Sequence, residues 1–299
     1  MKDTNTKRKL SLKARDNITG YLFLLPNIIG FIIFSLIPVV TAFVLSFTNW
    51  DGMQETKFVG LKNFIDLFQH DSFKIALKNT VVYTIGSVPL TLIIALAIAI
   101  LLNQKLKGVK IYRAVFFMPY ISSAVAISYV WAALLNPTSG PINMMLQALG
   151  VANPPQWLTS VDWAMFTVIM ISVWKGFGYY TVIYLASLQG VPKHLEEAAM
   201  IDGANKWQIF KNVTVPQLRP VTFFCTIMAV MGSFKVFDQV YVLTAGGPGQ
   251  ATSTLVQYIY TQSFRNYRMG YGSAAAVVLF FIIFLVTVVQ FRGQKKWED

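Results

Sequence analysis

The chain has 299 residues, 55% of them hydrophobic and only 13% charged, about half the charged share of a soluble globular domain. Its apolar residues gather into blocks of about 20 or more, which excludes an ordinary water-solvated core and makes the bilayer the solvent for most of the chain. The formal charge of +12 sits in short clusters beside those blocks and not in a basic domain, so it argues for control of membrane topology and against a nucleic-acid partner.

The first block follows Lys7, Arg8, Lys9, Lys13 and Arg15 and runs from about Ile18 to Phe47, longer than the roughly 7–15 apolar residues of a secretory signal. It is expected to be a retained spanning helix behind a cytoplasmic tail, residues 1–18. In all, six blocks qualify as spans: about 19–47, 79–103, 112–135, 162–188, 221–244 and 271–291. At about 1.5 Å per residue each is long enough for a hydrocarbon core of about 30 Å. They are expected to be helices, because a barrel would need period-two alternation and a closed sheet. Pro26, Pro38, Pro89 and Pro119 are kink candidates within them.

Between the first two spans, Leu61, Phe64, Ile65 and Phe68 form a helical stripe interleaved with Lys62, Asp66 and Gln69. The pattern predicts a short helix, lying on the outer membrane surface or packed against the protein's own spans. After the third span, Asn136-Pro137, Pro141 and Asn153-Pro154-Pro155 read as a turn-rich external loop.

The fourth span carries Lys175 among Trp174, Gly176, Gly178, Tyr179 and Tyr180. Intramembrane charge favours a bundle interior or an aqueous cavity, and aromatic side chains can stack on a solute's apolar faces while their polar edges bond it, so Trp174, Tyr179 and Tyr180 are candidates for a substrate path. Ordinary packing through small residues explains the same pattern.

The segment from Pro192 to Pro220, PKHLEEAAMIDGANKWQIFKNVTVPQLRP, is too polar to span and too rich in helix signals to be a linker. Pro192 suits a first helical position, and Glu196 and Glu197 follow near the positive end of that helix. Gly203 can supply the left-handed residue that closes it. Asn205 then offers a cap, with Gln208 as its box partner, for a second helix through Trp207 and Phe210 that Pro216 ends. Ala198 and Ala199 beside Leu195 give the first helix a shallow apolar face suited to a partner's groove.

In the fifth span, Lys235 and Asp238 are three residues apart and close enough on a helix to pair, and both join the substrate-path candidates. The single cysteine, Cys225, lies in the same block and can form no internal disulfide. The Gly246-Gly247-Pro248 stretch follows in an external loop. With the N-terminus inside, the cytoplasmic side holds 17 Lys and Arg and the outer side 6, which places both termini in the cytoplasm. His70 and His194 then fall on opposite sides and cannot share a metal. No phosphate-cradling G-x-x-x-x-G-K-[ST] and no H-E-x-x-H motif occurs, so no catalytic residue, metal site or nucleotide site is assigned to this chain.

The stretch EEAAMIDGA, with Phe210 and then VPQLRP, resembles the EAA loop in permease subunits of ABC importers, in the form found in carbohydrate importers. Glu197, Ala198, Ala199, Asp202, Gly203, Ala204 and Pro216 fall on that motif, with Glu196 and Phe210 beside them. LTAGGPGQATSTL from Leu243 to Leu255 and FVGLKNF from Phe58 to Phe64 are similar to other stretches of the same family. The resemblance implies an all-α permease of the MetI-like fold occupying residues 19–299, with a coupling loop at 189–220. It further implies a second homologous permease, two ATPase subunits that bind the ATP, and an extracytoplasmic sugar-binding protein. The main alternative is an ion-coupled secondary transporter, which needs no docking loop; an intramembrane enzyme ranks last.

Overall fold

The computed structural model describes residues 12–53, 55–104 and 107–298, so the basic cluster at residues 7–9 lies outside the described residues. The first helix, α1, spans Leu12–Phe31 and thus starts inside the stretch expected to be tail. Pro38 lacks the amide that would bond the preceding turn, and the helix widens there into a π-turn at Ile32–Leu36, the Ile37 amide reaching back to the Ile32 carbonyl. It continues as α2, Ile37–Leu45. Across the span Thr19–Leu45 the most apolar stretch has no residue buried within the chain.

Helix α3, Lys62–Gln69, carries the predicted stripe. Its Asn63 and Leu67 are buried, and the Asn63 amide donates to the Ser46 and Thr48 carbonyls at 2.8 and 2.7 Å, which pins α3 to the end of the first span. Leu61, Ile65 and Phe68 stay exposed and, with Phe64, continue an apolar surface toward α2 and the last helix. Of the two sequence alternatives, packing against the protein's own spans holds for the edge that carries Asn63 and Leu67.

Helix α4, Asp71–Leu102, begins eight residues before the predicted span. Residues 71–78 are too polar to register as membrane sequence, yet Phe73 and Ala76 bury fully against the outer part of the bundle. The third block departs further from expectation. It is not one helix but α5, Val109–Ile121, and α6, Ala124–Leu134, meeting at 95°. Pro119 removes one backbone donor, Ser122 turns extended with its hydroxyl on the Met118 carbonyl, and the Ser123 side chain caps α6 through the Ala126 amide. At about 20 Å, α5 alone cannot cross the core.

The turn-rich loop after α6 contains a short helix, α7, Pro141–Ala148. Asn143 ties it down, donating to the Pro137 and Pro155 carbonyls and accepting from the Trp157 indole at 2.7 Å. Helix α8, Val161–Gly190, is the central post. It packs along α4, where the Thr181 hydroxyl lies 3.3 Å from the Ala95 carbonyl. It also crosses α5 so closely at Gly178 that any Cβ there would overlap the Phe116 carbonyl.

Two short elements follow, α9, Lys193–Ile201, and α10, Lys206–Ile209, the latter passing through a π-turn at Phe210–Thr214 into α11, Val215–Gln217. The fifth block was expected to be one span; it is instead α12, Arg219–Phe234, and α13, Asp238–Leu243, interrupted at residues 235–237. The Thr254 hydroxyl takes the freed Val236 carbonyl at 3.2 Å, a tertiary contact that compensates the break. Helix α14, Leu255–Tyr260, leads through a π-turn at Thr261–Arg265 to α15, Met269–Glu298. Among the described residues four continuous helices are long and apolar enough to span, and two bent pairs, α5 with α6 and Lys206–Gln217 with α12, raise the number to six. The chain is thus an all-helical, multi-pass membrane protein.

Candidate functional site

The segment between α8 and α12 folds as a compact elbow through contacts that are nearly all local. The α9 helix ends in a left-handed Gly203 at φ +81°. There the Gly203 amide bonds the Met200 carbonyl at 3.0 Å and the Ala204 amide the Ala199 carbonyl at 2.9 Å, the paired bonds of a glycine-terminated helix. Two residues later the Asn205 side chain accepts from the Gln208 amide at 3.0 Å, and the Gln208 side chain accepts from the Asn205 amide at 2.8 Å, a reciprocal box. Pro192 sits one position earlier than its sequence suggested, preceding the helix that Lys193 opens.

The two arms meet where the Thr214 hydroxyl reaches Glu196 at 3.5 Å and where Ile209 is buried. Glu197, Ala198, Asp202 and Gly203 are exposed, while Ala199, Ala204, Phe210 and Pro216 are half-buried. The second arm runs past Pro216 to Gln217 and turns by 62° into α12. At the tip, Met200, Ile201 and Trp207 are 57%, 87% and 68% exposed. These apolar side chains stay uncovered on an otherwise polar loop.

Between α4, α5, α8, α12 and α13 lies an open cleft of about 230 Å³. Tyr83, Ser87, Thr91, Ser172, Ser233 and Gln239 supply its polar lining, and Tyr120 and Tyr180 its ring faces. The hydroxyls are tied together: Ser233 donates to Thr84 at 2.9 Å, and Ser172 lies 2.7 Å from the Gln239 carboxamide.

Of the path candidates, Tyr180 lines this cavity, and Tyr179 stacks on Tyr120 at 4.6 Å behind it. Trp174 turns elsewhere, edge-on to Trp131 in an apolar recess with Trp157 and Met170. Lys175 bonds the Tyr120 carbonyl at 3.2 Å and lies over that ring. Lys235 and Asp238 are exposed at the helix break and do not form the ion pair their spacing suggested. Ser172, Ser233 and Gln239 were missed in the sequence; the only local signal was polar residues within apolar blocks.

The loop around Gly246-Gly247-Pro248 is closed on itself. Gly246, at φ +87°, lies where a Cβ would overlap the Gln257 carboxamide, which donates to the Ala245 carbonyl at 2.7 Å. Pro248 follows Gly247 through a cis peptide bond, and the Thr252 hydroxyl holds the Gly247 carbonyl at 2.8 Å. Asn79 of α4 donates to the Gln250 and Ser253 carbonyls, fixing the loop over the N-terminal end of α4.

A polytopic helical bundle with a polar cleft and a structured elbow fits a membrane transport subunit. The chain belongs to the family of binding-protein-dependent transport system inner membrane components, whose pattern matches residues 80–297. It is 37% identical over 295 residues to the probable ABC transporter permease protein YesP of Bacillus subtilis (strain 168), covering 97% of this chain and 94% of that one. It is likewise 37% identical over 290 residues to the lactose transport system permease protein LacF of Rhizobium radiobacter, covering 96% of each. In fold it is similar to a chain from the crystal structure of a bacterial alginate ABC transporter in complex with an alginate pentasaccharide-bound periplasmic protein. That match has a TM-score of 0.81 and 23% identity, covering 93% of this chain and 94% of that one.

Proposed function

We propose that this chain forms one half of the translocation path of an ATP-driven saccharide importer, coupled to ATPase subunits through the 189–220 elbow. The observation that carries the proposal is the elbow itself, two short arms locked by the Gly203 turn and the Asn205–Gln208 box with Ile201 and Trp207 at the tip. A connector between two spans needs neither the locks nor the apolar tip, whereas a lever transmitting ATPase motion needs both rigidity and a docking surface. Glu196, Glu197, Ala198, Ala199, Asp202, Gly203, Ala204, Phe210 and Pro216 form or support that surface.

In this mechanism, closure of the ATPase subunits on ATP drives the elbow as a rigid body and switches the bundle from inward-open to outward-open. A binding protein then releases its sugar into the hydroxyl-lined cavity, and no bond in the sugar is made or broken. The saccharide class is supported by the cavity's hydroxyl and aromatic lining and by the lactose relative. A second permease is supported by the first span, which finds no cover within its own chain. Both termini are cytoplasmic, with the ATP bound by the partner subunits.

The test is uptake of labelled saccharide into vesicles holding the assembled complex. ATP-dependent uptake that is lost in Glu197→Arg, while the variant still inserts, supports the proposal. Uptake that survives ATP depletion and stops when an ion gradient is collapsed contradicts it.

A further inference from the structure

Lys175 stands midway along α8, inside a span, where an ammonium is expensive unless a partner holds it. Its partner is the end of another helix. Helix α5 stops at Ile121, so the Tyr120 carbonyl is one of those that a helix leaves without an intrahelical amide. The Lys175 Nζ donates to that carbonyl at 3.2 Å and lies 5.6 Å from the centre of the Tyr120 ring. A cation there also meets the negative end of the helix dipole. The local cap serves a different carbonyl, because the Ser122 hydroxyl donates to Met118 at 2.9 Å. The lysine therefore supplies from α8 what the α5 sequence lacks.

Three other contacts bind the same end of α5 to α8. Tyr120 stacks on Tyr179 at 4.6 Å, Phe116 meets Phe177 edge-on at 6.0 Å, and Gly178 lets the two backbones close at the Phe116 carbonyl. Helix α6 packs instead on α13. The bend at Ser122–Ser123 thus separates a helix fixed to α8 from one that is not. At its far end, Gly190, α8 leads through Val191 and Pro192 into the elbow, about 22 Å along the helix from Lys175.

Resting on the reading of the elbow as a lever, we infer that Lys175 is a positioning residue for transport: by capping α5 it makes α5 follow α8 and carries motion of the elbow to the α5–α6 bend beside the cleft. It acts through the Tyr120 carbonyl and not by touching the solute.

The test compares Lys175→Met, similar in length but without a donor, with Lys175→Arg, which keeps the cation and the donor. The complete importer is placed in proteoliposomes with its binding protein saturated by lactose, maltose, trehalose or arabinotriose. Two quantities are read: saccharide carried per ATP hydrolysed, and hydrogen exchange at the Ser122 amide, which bonds the Met118 carbonyl at 3.2 Å and closes the last turn of α5. Lys175→Met is expected to lower the ratio about tenfold and to speed the exchange about tenfold, the lower end for a hydrogen bond to a charged group. Lys175→Arg is expected to restore most of both. Wild-type values in Lys175→Met, or Arg as damaging as Met, overturn the inference. A lowered ratio with unchanged exchange marks a solute contact and also overturns it, as does faster exchange with an unchanged ratio, which marks a cap that transmits nothing. Should Lys175→Met fail to assemble, Lys175→Gln, a neutral donor, takes its place with an expected loss of about threefold, wild-type values again overturning the inference. A wild type that carries none of these saccharides on ATP removes instead the lever reading on which the inference stands.

Discussion

Replacing Gly203 probes the elbow at its most constrained point. Its φ of +81° is the left-handed region, and a Cβ built there meets no atom within 4 Å, so the cost of an added side chain is conformational and not steric. For Gly203→Ala that cost is about 1–2 kcal/mol, or roughly a five- to thirtyfold loss in the closed turn relative to open forms. Gly203→Asn should cost less, because asparagine tolerates this region through local hydrogen bonds. Gly203→Pro cannot adopt it at all and also deletes the amide that bonds the Met200 carbonyl. Hydrogen exchange at the Ala204 amide, which bonds the Ala199 carbonyl, reports closure of the turn, and ATP-driven uptake by the assembled complex reports its use. The expected order in both is wild type, then Asn, Ala and Pro. Pro with wild-type protection and uptake, or Asn as damaging as Pro, would refute the reasoning.

Other substitutions separate local from tertiary effects. Asn205→Ala removes the capping box and should destabilise the second arm by about 1 kcal/mol, seen as faster exchange at the Gln208 amide with no change in membrane insertion. Gly178→Ala forces α5 off α8 and should cost about 1–3 kcal/mol in thermal unfolding of the detergent-solubilised protein. Gly176→Ala, whose added methyl would meet Thr91 only at an ordinary 3.6 Å, should be tolerated. Asn63→Ala strips the side-chain donor from the Ser46 and Thr48 carbonyls; a loss of about 1–3 kcal/mol should appear as protease sensitivity in the loop before α3.

The features legible in the sequence are those set by neighbours a few residues apart. Gly203, Asn205 and Gln208 lie within six positions, so their turn and cap could be read directly, with Pro192 misplaced by one residue. The apolar blocks marked where helices lie, because a backbone in hydrocarbon must bond to itself. Hydropathy carries no information about where such a helix breaks. The bend at Ser122–Ser123 rests on local caps that hydropathy does not register, and the interruption at residues 235–237 depends on a partner elsewhere, Thr254. The early start of α4 likewise depends on the packing of Phe73. The cavity was least legible: Tyr83, Ser172, Ser233 and Gln239 come from four different helices, and a hydroxyl within an apolar run more often satisfies its own helix, as Thr226 does on Thr222. Lys235 and Asp238 looked like a pair only while their segment was taken as one helix.

The docking role of the elbow is most directly tested from Ile201, which is 87% exposed at its tip. The chain's single cysteine, Cys225, is buried and can be replaced by alanine, after which Ile201→Cys carries the only thiol. In the assembled complex a short thiol-anchored photo-crosslinker there should join this chain to an ATP-binding subunit, and an impermeant maleimide added outside intact cells should not label it. Labelling from outside, with no crosslink to an ATP-binding subunit, would contradict the account.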